Sequence, residues 1–289
     1  MIKRNDRKKV AVFGAGQAGR MMATWVPAGA DLVCLIDNAS ALQGTLAGGV
    51  PVFSLEQALM LEEPDLIMIG VLNREAETAI RAQIRDAGYI GEIRTAMEMR
   101  SVMDLRCSAM RLIARDMTAR GTEGAVAELG VYRGAFAAEI NRAFPAKPLY
   151  LFDTFAGFDV RDLEVEGEAC QPRQTFCDTS EEVVRKALPH PEQATFIKGY
   201  FPESLAKSDD LQDMTYAFVS LDPDLYQPAL RGLEYFYRRL AKGGMIMAHD
   251  YNSLQFPGVG KAVGEYASAH GITPVPLMDL HGTAVIVKP

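Results

Sequence analysis

The order of strand-like and helix-like segments constrains the fold of this chain more than any other feature of the sequence. Short apolar runs alternate with amphipathic segments in two series, and residues 94–121 separate the series. Strands that alternate with helices form βαβ units, which build parallel sheets. A chain of 289 residues also has the length of roughly two domains. We therefore predict an α/β protein with two Rossmann-like domains: a small parallel-sheet domain over residues 1–93 and a doubly wound sheet over residues 122–289.

Each series contains several candidate strands. In the first series the apolar runs lie at 9–13, 31–36, 66–70 and 92–94, with helical segments at 55–61 and 74–87. In the second series they lie at 125–131, 149–152, 195–198, 216–221 and 244–248, followed by a pair at 274–278 and 283–287. This last pair predicts an antiparallel strand at the edge of the larger sheet. Between the series, methionines at near-helical spacing predict a long or broken linker helix over 94–121 whose apolar face serves packing.

Two neighbouring apolar runs of the second series end in acidic residues. Asp222 and Asp224 follow one run, and His249 and Asp250 follow the next. Open α/β sheets bind their ligands at the C-terminal ends of their strands, so these four side chains are expected to converge at one edge. Carboxylates at close range raise each other's pKa, and such a cluster must therefore hold a cation or share a proton.

Glycines follow the first strand of each series. Gly14, Gly16 and Gly19 form a Gly-x-Gly-x-x-Gly pattern between a strand and a helix, and Asp37 ends the second strand. This context is typical of nucleotide binding, in which the glycines admit a phosphate and the acid binds a ribose. Alternatively, the glycines serve only the packing of the turn, and the domain binds nothing.

The second series carries a comparable set of residues without that glycine pattern. Glu128 and Gly130 lie at the end of its first strand, Gly134 precedes a helix, and Asp153 ends its second strand. A carboxylate beside glycines suits a ligand with an amino group and a nearby nucleoside, and Asp153 is placed to take both ribose hydroxyls. A purely structural role for these acids is the alternative.

Several segments of the second series resemble the macrocin O-methyltransferase family. They lie at residues 128–134, 149–158, 198–205, 221–226 and 249–252, in the family's order. The resemblance implies a class I methyltransferase fold for the second domain, with S-adenosylmethionine as methyl donor and Mg²⁺ or another divalent cation as cofactor. It also implies that the acceptor is a hydroxyl of a sugar or of a glycosylated natural product.

The resemblance assigns roles residue by residue. It implies that Glu128, Gly130 and Gly134 belong to the cofactor site together with Asp153, which would bind the cofactor's ribose. It implies metal ligands at Asp222 and Asp250 and a general base at Asp224.

One residue of the acidic cluster departs from the family's pattern. Many members have two adjacent acids where this chain has His249 and Asp250. We expect His249 to act as a metal ligand, as the base, or only in packing, and an imidazole ligand suits Zn, Mn or Fe better than Mg.

The first series is similar to small nucleotide-binding domains fused to bacterial sugar-modifying enzymes. This likeness leaves open an oxidoreductase or a nucleotide sensor run by NAD(P) or a sugar nucleotide at Gly14–Asp37. A third alternative is a methyltransferase fold without activity that serves assembly. The segment 156–179, with Arg161 and Arg173, is long enough for a lid that reads the substrate.

The overall composition limits the classes of partner that this chain is expected to bind. A formal net charge of −7 and a pI near 5.3 argue against a nucleic-acid surface. The sequence has neither a signal-peptide pattern nor an apolar run that could span a bilayer, so we expect a cytoplasmic protein with no membrane partner. Its four cysteines are expected to be thiols, although Cys170 and Cys177 are close enough for a disulfide or metal role. We expect a small sugar-containing substrate and a homo-oligomer.

Overall fold

The computed structural model describes residues 7–166, 176–207, 211–280 and 282–289. The fold is α/β, as predicted, and an open sheet forms the centre of each of two compact units. The first unit extends to Asp104 and also includes Met278–Leu280, and the second comprises the rest of the described chain from Leu105. The boundary falls within the segment 94–121 that was predicted to be a helical linker.

The first unit contains a six-stranded sheet in the order β3-β4-β2-β1-β5-β6. Its strands are β1 (Lys8–Phe13), β2 (Ala30–Ile36), β3 (Leu46–Ala47), β4 (Val50–Phe53), β5 (Leu66–Ile69) and β6 (Glu92–Thr95). Its helices are α1 (Gln17–Ala23), α2 (Leu55–Leu61), α3 (Arg74–Asp86) and α4 (Ala96–Val102). All pairs are parallel except β3 with β4. This short hairpin was not predicted, although its turn at Gly48 and Gly49, both with positive φ, is a hairpin signal.

The second unit contains a seven-stranded sheet in the order β12-β13-β11-β10-β7-β8-β9. Its strands are β7 (Ala125–Leu129), β8 (Leu149–Asp153), β9 (Ala194–Lys198), β10 (Tyr216–Leu221), β11 (Leu240–Ala248), β12 (Val275–Pro276) and β13 (Ala284–Val287). Its helices are α5 (Leu105–Ala119), α6 (Ala135–Ala143), α7 (Val160–Glu166), α8 (Glu181–Ala187), α9 (Tyr226–Arg239) and α10 (Pro257–His270). The prediction of an antiparallel terminal pair at one edge of the sheet is confirmed, because β13 pairs antiparallel with β11, and the edge strand β12 pairs antiparallel with β13.

The central strands of the second unit are buried on both faces. Every residue of β7 and β10 is buried, which explains why these segments are mostly apolar, with Glu128 and Ser220 as the polar exceptions. Phe218 packs in one hydrophobic cluster and its neighbour Val219 packs in another, as expected where successive side chains point to opposite faces. A core on each side therefore fixes the register of the sheet.

The parallel register aligns the C-terminal ends of four strands at one edge. Leu129 at the end of β7 pairs with Phe152 of β8 and Leu221 of β10, and Leu221 pairs with Ala248 of β11. The residues that follow these ends continue the ladder, because the N–H of Asp222 donates to Leu129 O and that of His249 to Leu221 O. Residues far apart in the sequence thus enter the same space.

The segment predicted to be a linker forms two helices, α4 and α5. Met103, between them, has an extended backbone that ends α4. In α5, Met110, Ala114 and Met117 are buried, as expected for a packing face, and Arg106 is buried with them. Arg106 lies one turn before Met110, so the helix period directs it inward.

The predicted lid is only partly described. Residues Val160–Glu166 form helix α7 within this segment, whereas 167–175, which include Cys170 and Arg173, lie outside the described residues. Among the described residues no helix combines the length and the apolar character needed to cross a bilayer.

Candidate active site

A cavity of about 310 Å³ opens at the aligned strand ends of the second unit. Polar residues at or after the strand ends line it: Glu128, Gly130, Asp153, Asp222, Asp224 and His249. Aromatic side chains complete its walls: Tyr132, Phe136, Phe152, Phe158, Phe176, Tyr200 and Phe201. A concave, mostly apolar space with a few convergent polar groups is typical of a small-molecule site.

A buried polar network forms the inner wall of the cavity. Glu128 is only 1% exposed, and its Oε1 accepts a hydrogen bond from Ser220 Oγ at 3.1 Å. Arg106 Nη2 lies 3.3 Å from Ser220 Oγ and donates to Asp222 Oδ2 at 2.9 Å. The guanidinium group also stacks over the ring of Phe136, 3.8 Å from its centroid. Arg106 thus neutralises part of the negative charge that the strand ends bring together.

Glu128 keeps one oxygen without a hydrogen-bond partner. Its Oε2 is buried and no described group bonds to it. Burial is the main cause that raises the pKa of Glu128 to about 8, and the charge of Asp222 adds to it. A buried acceptor without a partner is costly, so this oxygen is placed to accept a hydrogen bond from a bound ligand.

Four potential metal ligands meet beside this network. Asp222, Asp224, His249 and Asp250 each offer a ligand atom, and these atoms all lie within 4.8 Å of one another. His249 Nδ1 is 2.9 Å from Asp222 Oδ1 and 2.6 Å from Asp250 Oδ2. Asp224 and Asp250 both have a positive φ, which short polar side chains tolerate better than bulky ones.

Mutual charge shifts the pKa values of this cluster in opposite directions. Burial alone would raise the pKa of Asp222, but His249 and Arg106 hold that pKa well below its usual range. Burial and the charges of Asp222 and Asp250 raise the pKa of Asp224 well above its usual range. Burial opposes the protonation of His249, yet Asp222 and Asp250 raise its pKa to about 10. The cluster thus shares protons when no cation is bound.

The loop after β7 closes on Asp153. Its Oδ2 accepts the N–H groups of Val131 at 2.6 Å and Tyr132 at 3.0 Å, and its Oδ1 accepts that of Phe155 at 2.7 Å. A Cβ on Gly130 would lie 2.0 Å from Asp222 O, so only glycine permits this close approach. The predicted ribose ligand therefore also holds the loop that lines the cavity.

Gly134, another predicted cofactor residue, has a different position. It precedes α6 with a φ of 79°, and a Cβ there would lie 2.8 Å from Val184 Cγ1. Its neighbours Arg133 and Ala135 are among the residues that line the cavity, whereas Gly134 is not. Gly134 therefore shapes the turn into α6 rather than the wall itself.

The predicted nucleotide residues of the first unit are largely engaged by their own backbone. A Cβ on Gly19 would lie 1.8 Å from Gly14 O, so these glycines pack backbone against backbone. Asp37 Oδ2 accepts Ala15 N and its Oδ1 accepts Ala39 N, both at 2.8 Å. A Cβ on Gly16 would meet nothing within 4 Å, so space adjoins the backbone there.

Sequence reasoning missed several residues of the site. Arg106 was assigned to the linker helix and Ser220 to an apolar strand. A serine inside an otherwise apolar run was a usable signal, because it lies in register with Glu128. Arg106 gave no local signal, since it lies 116 residues before its partner Asp222.

A second polar corner lines the same cavity. Asp162 of α7 is buried, accepts a hydrogen bond from Tyr200 Oη at 2.9 Å, and has a pKa raised to about 6 by burial. Arg161 stacks over the Tyr200 ring at 3.6 Å and pairs with Asp159 and Glu203. The predicted substrate reader Arg161 therefore has structural partners already, whereas Asp162 and Tyr200 face the cavity.

Comparison with known proteins identifies relatives of one kind. The model of the macrocin-O-methyltransferase (TylF) family matches residues 50–288. Demethyldecarbamoylnovobiocin O-methyltransferase of Streptomyces niveus is 27% identical over 182 residues, which cover 58% of this chain and 67% of the relative. A rhamnosyl-tetracenomycin-C 4′-O-methyltransferase of Streptomyces olivaceus is 26% identical over 197 residues, covering 62% of this chain and 71% of the relative.

Solved structures support the fold. The O-methyltransferase NovP superposes with a TM-score of 0.51 at 23% identity, covering 63% of this chain and 79% of its own. The calicheamicin methyltransferase CalS11 superposes with a TM-score of 0.54 at 16% identity, covering 81% of this chain and 89% of its own. At these identities the likeness concerns the α/β architecture.

Proposed function

Because this chain belongs to the macrocin O-methyltransferase (TylF) family and is an O-methyltransferase, we propose that it methylates a hydroxyl of a sugar or of a glycosylated natural product. The name of one relative contains a rhamnosyl group, and that of the other contains novobiocin. The observation that carries the proposal is the presence of two chemistries in one cavity. Glu128, with its unpartnered oxygen, suits a cationic cofactor, and the Asp–His cluster suits a cation that binds an acceptor hydroxyl.

The residues around Glu128 fit S-adenosylmethionine. Glu128 Oε2 would accept from the amino group of the methionine end, and Asp153 would bind the ribose with the lone pairs its backbone contacts leave. Gly130 lets the chain pass close to the cofactor, and Gly134 fixes the turn after it. A volume of about 310 Å³ lies at the lower end of the range for small-molecule sites.

The Asp–His cluster fits a divalent cation, Mg²⁺ or another. Asp222, His249 and Asp250 would hold it, because their carboxylate and imidazole atoms lie within 4.8 Å of one another. Bound, the cofactor supplies an electrophilic methyl group and the cation lowers the pKa of the acceptor hydroxyl. Arg106 turns Asp222 so that Oδ1 faces the cluster.

Asp224 is our candidate for the general base. It lines the cavity, and its carboxylate lies beside the proposed metal ligands. A positioned base that takes the acceptor proton as the oxygen attacks the methyl carbon contributes typically ~10²–10⁴ in rate. The aromatic walls, in which Phe176 contacts Tyr132 and Phe158 edge to face, exclude water from this transfer.

The acceptor is proposed to enter beside α7. Asp162 and Tyr200 offer a carboxylate and a phenol to the cavity, which are suitable partners for sugar hydroxyls. The described residues 157–159, 162 and 176 then contribute one wall of the cavity.

A nucleotide at Gly14, Gly16, Gly19 and Asp37 draws support from the open space at Gly16, whereas an oxidoreductase run by the first unit has no support among the relatives named here. A homo-oligomer draws support from large exposed apolar side chains at Val102, Met103 and Leu112. We also propose a cytoplasmic location.

Ligand-induced stabilisation and methyl transfer test the proposal together. At 100 times its Kd, S-adenosylmethionine is expected to stabilise the protein by about 2.7 kcal/mol, whereas NAD and NADP should not. Radiolabelled methyl transfer to a panel of sugar nucleotides and glycosylated natural products should stop in excess chelator and resume when a divalent cation is restored. Stabilisation by NAD alone, or full turnover in chelator, would contradict the proposal or its metal part, respectively.

A further inference from the structure

One ring nitrogen in the cluster lies within hydrogen-bond distance of two carboxylate oxygens. An imidazole nitrogen carries either one hydrogen or one lone pair. His249 Nδ1 nevertheless lies 2.9 Å from Asp222 Oδ1 and 2.6 Å from Asp250 Oδ2. One hydrogen cannot make two linear hydrogen bonds, so a proton satisfies this arrangement poorly.

A cation satisfies the same three atoms fully. Ligand atoms at right angles around a cation with bonds of about 2.1 Å are separated by about 3 Å. The His249 nitrogen lies 2.9 Å from Asp222 Oδ1, which matches this separation, and 2.6 Å from Asp250 Oδ2, which is shorter. All three side chains are largely buried, with exposures of 14%, 18% and 8% for His249, Asp222 and Asp250.

The remaining contacts of the cluster keep this arrangement in place. Arg106 binds Asp222 Oδ2 at 2.9 Å, which leaves Oδ1 turned toward His249. A hydrogen bond from outside the coordination sphere orients a ligand in this way in many metal sites. His249 and Asp250 are fixed by their position directly after β11, which pairs in parallel with the fully buried strand β10.

We propose that His249 Nδ1 is itself a metal ligand and that the resulting nitrogen-and-oxygen site selects a first-row transition cation such as Mn²⁺ over Mg²⁺. The inference rests on the proposed cation-dependent methyl transfer. Imidazole binds first-row transition cations well, whereas Mg²⁺ prefers oxygen ligands and retains its water. Two or three carboxylates with one imidazole form a mixed set of this kind.

Pulsed electron paramagnetic resonance of the untagged protein loaded with Mn²⁺ tests the ligand directly. We expect modulation from a directly bonded ¹⁴N nucleus in the wild-type protein and its loss in His249→Asp, which offers only oxygen. His190→Asp is the matched control, because His190 is a half-exposed side chain away from the cluster, and it should retain the modulation.

Competitive binding of Mn²⁺ and Mg²⁺ tests the selectivity. Because all-oxygen sites also bind Mn²⁺ more tightly than Mg²⁺, the informative quantity is the change in the Mn²⁺ to Mg²⁺ affinity ratio. We expect the ratio to fall at least tenfold in His249→Asp and to stay constant in His190→Asp. Circular dichroism verifies that each variant is folded. The ¹⁴N modulation of the wild-type protein tests the ligand even if a variant fails to fold.

Absence of ¹⁴N modulation in the wild-type protein, or a ratio unchanged in folded His249→Asp, would overturn the inference. Cation-dependent methyl transfer that survives either result would leave the proposed function intact. Methyl transfer that needs no cation would instead remove the metal part of the proposed function, and this inference with it.

Discussion

The two sheets use the same backbone device after their first strand, and only the side chains around it differ. Gly14 and Gly130 each have a positive φ at this point. In both units the N–H of the next residue donates to the carboxylate that ends the second strand, Asp37 in one and Asp153 in the other. These backbone contacts hold the loop at the sheet edge in both units, whatever side chains lie near it.

The difference lies at the end of the neighbouring strand. Gly70 follows β5 and donates its N–H to Phe13 O at 2.8 Å, while Asp222 follows β10 and donates to Leu129 O at the same distance. In the first unit a Cβ at Gly70 would lie 2.3 Å from the Cα of Gly19, so helix and strand fill the space. In the second unit that space is the cavity. The glycine loop and its acid therefore only position the backbone. The residue that follows the neighbouring strand determines whether the adjoining space is packed or forms a cavity.

Asp222→Asn is expected to have the largest effect, and this effect concerns the site of the second unit. It removes the charge that both Arg106 and His249 contact, and we expect methyl transfer to fall roughly 10²–10⁴-fold, the range of a lost acid–base or metal contribution. Turnover under saturating S-adenosylmethionine and acceptor measures this loss. Asp213→Asn, at an exposed position, should retain full turnover.

Gly70→Ala tests the packed counterpart in the first unit. The added methyl group meets backbone atoms of Gly19 that cannot rotate away, and we expect a loss of about 3 kcal/mol in the free energy of unfolding of that unit. Chemical denaturation measures it. Gly16→Ala, in the loop between β1 and α1 and with open space around it, should change stability by less than about 0.5 kcal/mol. Equal losses in both variants would contradict the packing argument.

Asp153→Asn and Asp37→Asn form a matched pair. Each change turns one acceptor oxygen into an amide donor against a backbone N–H, and a hydrogen bond to a charged group contributes about 1.5–3 kcal/mol. We expect Asp153→Asn to weaken S-adenosylmethionine binding at least about tenfold, by calorimetry. Asp37→Asn should leave that affinity unchanged and lower only stability. A drop in S-adenosylmethionine affinity with Asp37→Asn would show that the two glycine loops are not independent.

Of these substitutions, Glu128→Gln is expected to have the smallest effect on the folded protein. It should raise the free energy of unfolding, whereas the other substitutions lower stability or activity. Burial raises the folded pKa of Glu128 to about 8 from an ordinary value of 4.5, so the ligand-free native state binds more protons than the unfolded chain between these values. The contribution of Glu128 to the stability of the wild-type protein should therefore decline as pH rises from 4.5 to 8. At pH 8 the variant should melt at a higher temperature than the wild-type protein, and below pH 4.5 this advantage should vanish.

Calorimetric scans from pH 4 to 9 measure this difference. Glu192→Gln, at an exposed side chain, is the control and should show no such trend. A wild-type protein that gains stability relative to Glu128→Gln as pH rises would contradict a buried, ligand-directed carboxyl group.

Much of the site could be anticipated because its elements are local patterns. The apolar runs of β7, β10 and β11 gave the strand ends, and parallel strands bring their C-terminal ends to one edge. Asp222, Asp224, His249 and Asp250 meet there as predicted. Arg106 could not be anticipated, since only the docking of α5 against the sheet brings it to Asp222.

The sequence by itself determined the α/β class and the placement of the acids, because strand periodicity and strand-end position are properties of short segments. It left His249 open between ligand, base and packing residue. The tertiary structure decided which atoms meet: one histidine nitrogen within 3 Å of two carboxylates, an arginine behind them, and a buried carboxyl oxygen without a partner. The physical reason is that such distances depend on the register of strands far apart in the chain, which the packing of both faces of the sheet fixes.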